Sequence, residues 1–173
     1  MHTLLSQGVM NTEIFALLKA FQESSPGFTY ATLQEFCHAD WQWTRQHWDK
    51  GRRIKELFNE IRESASLESN VFRSGASETL MVYPLLRFFV ERVMAATGKI
   101  AAERESFLAL CKVLDLVQLV KWRHARAEIL AELEVALPEW LRLHKQAYKS
   151  EFIRPKHHFA MHLPEQAKKD NCF

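Results

Sequence analysis

Apolar side chains recur along this chain at helical spacing. Ile14, Leu17, Leu18 and Phe21 form the first stripe, and Asn11 stands where an N-cap belongs. Ser24-Ser25-Pro26-Gly27 closes that helix. Thr32 and Glu35 have capping-box spacing and predict a short second helix toward Asp40. Arg53 to Arg62 reads as a third helix, with Ile54, Leu57, Phe58 and Ile61 on one face. Residues 64–76 are rich in Ser, Asn and Gly and predict a linker. A helix begins near Ser77, presents Leu80, Met81, Leu85, Phe88, Phe89 and Val93, and stops at Thr97-Gly98. Pro84 lies inside it and predicts a kink or a restart. Ala101 to Lys121 is apolar nearly all round, which predicts a central helix. Ala127 to Tyr148 carries the stripe Leu130, Leu133, Leu137, Trp140, Leu141 and Tyr148. Pro138 predicts either two helices meeting there or one kinked helix. Pro155 and Pro164 then predict two short helices, each starting at a proline.

The pattern predicts an all-α fold, an irregular bundle of about six to eight helices, several kinked or restarted at prolines. Composition agrees. Five glycines and five prolines in 173 residues are too few turn-formers for a sandwich or barrel. Hydrophobic residues are 47% and charged residues 25%, as in a globular domain. Residues 1–173 are therefore expected to form a single helical domain. No apolar run approaches a membrane span, and no cationic leader followed by an apolar run opens the chain. Three widely spaced cysteines, Cys37, Cys111 and Cys172, predict a reduced, intracellular setting.

Charge is uneven. Residues 1–86 hold 8 basic and 10 acidic side chains, a net −2. Residues 87–173 hold 15 and 11, a net +4. This lean permits an acidic partner such as DNA without requiring one. Two basic groups stand out. Arg45, Lys50, Arg52, Arg53 and Lys55 surround Trp43 and Trp48, where aromatic faces and cations together would suit nucleic acid. Arg142, Lys145, Lys149, Arg154 and Lys156 form the second.

Half of the eight histidines fall between His144 and His162. His158 and His162 are four apart, the spacing of helical two-histidine zinc sites. With His157, and with Glu165 or Cys172 as a further donor, they are the candidate metal ligands. Packed or hydrogen-bonded imidazoles are the plainer reading. Cys37-His38, or Cys111 with a histidine, would be the candidate thiol nucleophiles, though Cys111 lies in an apolar helix, where a thiol acts as a small hydrophobe. The chain has no Gly-rich phosphate loop, no serine flanked by glycines and no evident acid/base carboxylate pair. No small-molecule substrate is indicated.

Three segments, in order, resemble a known pattern. Met1-His2, Gly8-Val9 and Glu13 are similar to the "D-x-M-H … G-v … E" segment of cut-and-paste transposases of the CACTA and Kyakuja–Dileera–Zisupton-like groups. Ser77-Glu78, Tyr83-Pro84 and Phe88 resemble their "S-E … Y-P … F" stretch. Pro155-Lys156-His157-His158, with His162 and Pro164, resembles their "P-K-H-H-x-x-x-H-x-P" segment. The resemblance implies an RNase H-like enzyme with metal-binding carboxylates of the DDE type, in which two metal ions clamp the phosphodiester. The family's aspartate precedes the Met-His pair and its glutamate follows the proline-flanked histidines, so both fall outside this chain. What remains resembles the helical insertion between them. The resemblance thus supplies Met1, His2, Glu13, Pro155, Lys156, His158 and His162 as motif positions but no catalytic residue. The divalent metal would belong to the parent enzyme alone.

Three functions follow as expectations. The first is a non-catalytic helical segment derived from a transposase, nuclear, and in contact with DNA or with the catalytic core. The second is a stand-alone helical module binding protein or nucleic acid through its basic groups. The third is a small zinc protein.

Overall fold

The computed structural model describes residues 2–5, 8–39, 57–121 and 126–170. Among these residues the fold is all-α, with no strands. The elements are α1 (His2–Leu5), α2 (Val9–Ser24), α3 (Tyr30–Ala39), α4 (Glu60–Ser69), α5 (Ala76–Phe89), α6 (Ala101–Lys121), α7 (Arg126–Tyr148), α8 (Pro155–Ala160) and α9 (Leu163–Asp170).

The antiparallel hairpin of α6 and α7 is the spine, and α2 and α5 pack on α6. Phe107, Leu110, Cys111, Val113, Leu114 and Val117 of α6 are fully buried. The central position read from its apolar sequence is therefore observed, although Leu119 near its end is exposed. Helix α2 sinks almost as deep, from Val9 to Leu18. Both Gly98 (φ 67°) and the αL residue Asn70 (φ 51°) end helical stretches, as their chemistry favours. Pro138 does not divide α7, which runs through it as one helix. Pro84 likewise lies inside α5, which widens into a π-helical turn at Val90–Met94 before the stop at Gly98. Pro155 and Pro164 sit in the first turns of α8 and α9, where a missing N–H costs nothing.

Three local expectations are corrected. Asn11 does not cap α2. The helix starts two residues earlier, behind Gly8, and Asn11 is fully buried within it. Its Nδ2 donates to the carbonyls of Phe72 (2.9 Å) and Ser74 (3.2 Å) and to Ser74 Oγ (2.8 Å). The Phe72 amide returns a bond to the Asn11 carbonyl at 3.0 Å. The second correction concerns α3, which is capped by Thr29 and Thr32 rather than by Thr32 and Glu35. The Thr29 amide donates to Thr32 Oγ1 at 2.9 Å, and the Thr32 amide donates to Thr29 Oγ1 at 3.4 Å.

The third is the expected linker at 64–76. Helix α4 occupies residues 60–69, with Asn59 as its N-cap accepting the Arg62 amide at 2.8 Å. Its serines do not break it. Ser69 donates back to the Ala65 carbonyl at 2.7 Å, and the buried Ser66 hydroxyl accepts the Arg73 amide at 3.2 Å. Leu57 and Phe58 are buried ahead of the helix rather than along it, and Ile61 is 82% exposed. Ile54 lies outside the described residues.

Asn11→Ala separates a buried hub from a cap. Loss of an N-cap costs about 1 kcal/mol, whereas stranding several buried partners costs about 3 kcal/mol. Urea unfolding of the variant is expected to show the larger loss, and a change near 1 kcal/mol would contradict the hub.

Candidate functional site, a buried glutamate–histidine cluster

Glu13 lies on the apolar stripe of α2, with Val9 four residues before it and Leu17 four after. That register carries its carboxylate into the core, where it is fully buried. An ionised carboxylate there needs partners, because burying an uncompensated charge costs several kcal/mol. Two other helices supply them. Ser106 Oγ of α6 donates to Oε1 at 2.6 Å. His144 Nδ1 of α7 bonds Oε2 at 2.6 Å, across 131 residues of sequence. His144 continues the α7 stripe between Trp140 and Tyr148, so the same logic buries it, 1% exposed.

Aromatic rings close around His144. Its ring centroid lies 4.6 Å from that of His157, 5.0 Å from Tyr148 and 6.0 Å from Trp140. His157 also stacks on Trp140, at 5.5 Å and an interplanar angle of 19°. His157 is the third residue of α8 and reaches back over its start: the Arg154 amide donates to His157 Nδ1 at 3.0 Å. The Arg154 carbonyl also lies 3.2 Å from Nδ1, but it already accepts the His157 amide at 2.9 Å. An amide N–H can only donate, so in the neutral ring Nδ1 accepts from Arg154 and the ring proton sits on Nε2. Trp140 Nε1, His144 Nε2, Tyr148 Oη and His157 Nε2 are buried with no hydrogen-bond partner among the described residues.

Burial controls the titration here. It lowers His157 to about 4, with the His144 charge acting in the same direction. Burial raises Tyr148 well above its ordinary value, and the charges of Glu13 and Glu103 push the same way. Beside the cluster a shallow cavity of about 240 Å³ opens between α2, α6 and α7, floored by Ala16, Ala20 and Ala147 and edged by Tyr148.

The structure thus brings together Glu13 and His157, which belong to motif segments at opposite ends of the chain. It adds Ser106, His144, Trp140 and Tyr148. The signal for His144 was present: it fills the missing tooth of the α7 stripe, as Glu13 does in α2. The pairing of the two could not be read, because nothing local links them.

Other motif positions are also engaged inside the fold. Glu78 Oε2 accepts the Gly75 amide at 3.0 Å and caps α5, while Oε1 pairs with Arg62 at 3.2 Å. Tyr83 donates to Asp115 at 2.9 Å, and Arg87 pairs with the same carboxylate at 2.8 Å, joining α5 to α6. Pro155 is the first residue of α8, and Lys156 is partly buried. Met1 and the side chain of His2 lie outside the described residues.

Of the candidate zinc ligands, His157 is set apart from His158, His162 and Glu165. His157 turns inward, whereas His158 and His162 lie on the outer side, with ring centroids 5.1 Å apart. Glu165 Oε2 is 3.7 Å from His162 Nδ1. Among the described residues no three His, Cys, Asp or Glu side chains are grouped to hold a metal ion. Cys172 lies outside them. The buried thiol of Cys37 is pushed up to about 12 by burial, and Cys111 is raised well above its usual value for the same reason, so neither is a ready nucleophile.

Trp43, Arg45, Trp48, Lys50, Arg52, Arg53 and Lys55, the first candidate nucleic-acid patch, lie outside the described residues. In the second basic group, Arg142 is paired with Glu139 at 2.7 Å. Lys145, Lys149 and Arg154 are exposed and make no ion pair among the described residues. No helix among the described residues is long and apolar enough to cross a membrane.

A double-mutant cycle tests the central pair. Glu13→Gln and His144→Gln are each expected to cost about 3 kcal/mol, by leaving the partner buried and unpaired. The double variant should fall short of the sum by about 1.5 kcal/mol or more in chemical denaturation. Additive losses would show that the two side chains do not depend on each other. Comparison with protein-family models, with curated proteins and with solved structures finds no match to this chain.

Proposed function

We propose that this chain is a non-catalytic helical module of transposase-like origin, which supports a catalytic core and has no cofactor of its own. One observation carries the reading: Glu13, Glu78, Tyr83 and His157, all within the motif segments, serve internal contacts. Glu13 bonds Ser106 and His144, Glu78 caps α5, Tyr83 holds Asp115, and His157 holds the start of α8. Glu13 has each carboxylate oxygen committed to a neighbouring helix, the arrangement of a structural rather than a metal-binding group. The packing of α1 on α8 supports the same reading, since it draws the two outer motif segments together. A helical insert within a core domain needs its two ends close. In this reading the protein works in the nucleus, and its partner is the core.

The purified chain is expected to show no Mg²⁺- or Mn²⁺-dependent strand cleavage on duplex or single-stranded DNA. Robust cleavage lost on chelation would overturn the reading.

A second reading rests on the unpaired cations. Lys145, Lys149 and Arg154, with Phe159 57% exposed nearby in sequence, would suit a nucleic-acid backbone and one stacked base. Binding to single-stranded DNA should then weaken with salt. Neutralising the three cations should flatten the log–log salt slope by roughly 0.7 per lost contact. A slope unchanged in the triple variant would remove this surface from consideration.

A further inference from the structure

We propose that His157 is a proton-operated latch: protonation of its Nδ1 undocks α8 from α7 and α1. The geometry gives protonation three unfavourable consequences and one opposing contact, the Arg154 carbonyl 3.2 Å from Nδ1, to which a protonated ring would donate. First, Nδ1 is the acceptor for the Arg154 amide, and a protonated Nδ1 cannot accept. The start of α8 then loses its side-chain cap. Second, the ring is 2% exposed, so the new charge is held away from water. Third, it lies 4.6 Å, centroid to centroid, from the ring of His144, and any positive charge on that imidazole repels it.

The surroundings offer little relief. From α7 the ring meets His144 and Trp140, with Tyr148 beyond them. On α2 the carboxylate behind His144 is Glu13, already bonded to His144 and Ser106. From its own segment it meets the Arg154 carbonyl, which favours the charged ring, and the Arg154 side-chain charge, which opposes it. The described side chains of α1 are Leu4 and Leu5. The Trp140 face attracts a cation, while burial and the His144 charge together lower the ring to about 4.

The direction with pH follows. Undocked, His157 is solvated and titrates near its ordinary 6.5; docked, it titrates at about 4. Between those values the open state binds a proton that the docked state refuses. Docking is therefore strongest above pH 6.5 and weakens as pH falls toward 4. Glutamine is the informative replacement. At the third position of a helix it can accept the same backbone N–H, yet it does not titrate.

Amide hydrogen exchange of residues 156–160 tests the latch, after correction for the intrinsic pH dependence of exchange. Between pH 7.5 and pH 5, protection in the native sequence should fall roughly 10- to 30-fold. In His157→Gln the fall should vanish while protection at pH 7.5 is kept. The exposed neighbour provides the control, since His158→Gln should behave like the native chain. Flat protection in the native chain, or the same fall in His157→Gln, overturns the proposal. Should His157→Gln not fold, imidazole NMR titration of the native chain decides. A His157 midpoint below pH 5 supports the latch, and one at pH 6 or above overturns it.

Discussion

The mutual arrangement of α2, α6, α7 and α8 depends on one buried carboxylate. Glu13 sits where α2 would otherwise carry an apolar side chain, so the helix cannot enter the core unless Oε1 and Oε2 both find donors. One comes from α6 and the other from α7. The requirement ties three helices into one arrangement. It also fixes His144, since an imidazole bonded at Nδ1 is held in a single orientation. That ring becomes the surface on which His157 stacks, which places α8, and α8 in turn carries α1. A charge buried near the start of the chain thereby positions the end of it.

Apolar packing alone would not do this. Helix α6 presents buried side chains over most of its length, and a nearly uniform apolar surface allows neighbouring helices to shift by a turn at small cost. A shift of α2 by one turn would carry Glu13 about 5.4 Å from both donors and leave a charge unpaired. The same reasoning applies at the other side of α6. Tyr83 and Arg87 reach one carboxylate, Asp115, and hold α5 in register where Pro84 and the π-helical turn weaken its own hydrogen bonding. Asn11 does the equivalent for the 70–75 loop. Each polar contact excludes alternatives that the hydrophobic surface would tolerate.

This explains which parts of the molecule were legible in sequence. Period and breakers marked α6, α7 and the stop at Gly98, because those signals are local. The prolines at 155 and 164 marked α8 and α9 for the same reason. Asn11 misled because the chemistry that suits an N-cap, a short amide with donor and acceptor, equally suits a buried hub. Serines misled at α4 because their hydroxyls return to the helix's own carbonyls and to the following loop, which composition does not reveal. The Glu13–His144 pair was half visible. Each residue interrupts an apolar stripe, and a polar residue on such a stripe demands a partner. The partner's identity requires the tertiary fold, since 131 residues separate the two.

The cost of such a design is concentrated in the same place. Trp140, His144, Tyr148 and His157 each hold a buried polar atom without a partner among the described residues, within one cluster of contacting rings. An all-apolar replacement of similar volume would remove those penalties and would be expected to match or exceed the native stability. What it would remove with them is register, and with register the sensitivity of α8 to a single proton. Apolar contacts have no protonation state and cannot be undone by acid. A core that contains a paired carboxylate and a neutral capping histidine can be undone at one end while the α6–α7 spine stays intact. The polar cluster is therefore better understood as a device for specifying and releasing one arrangement of helices than as a source of stability.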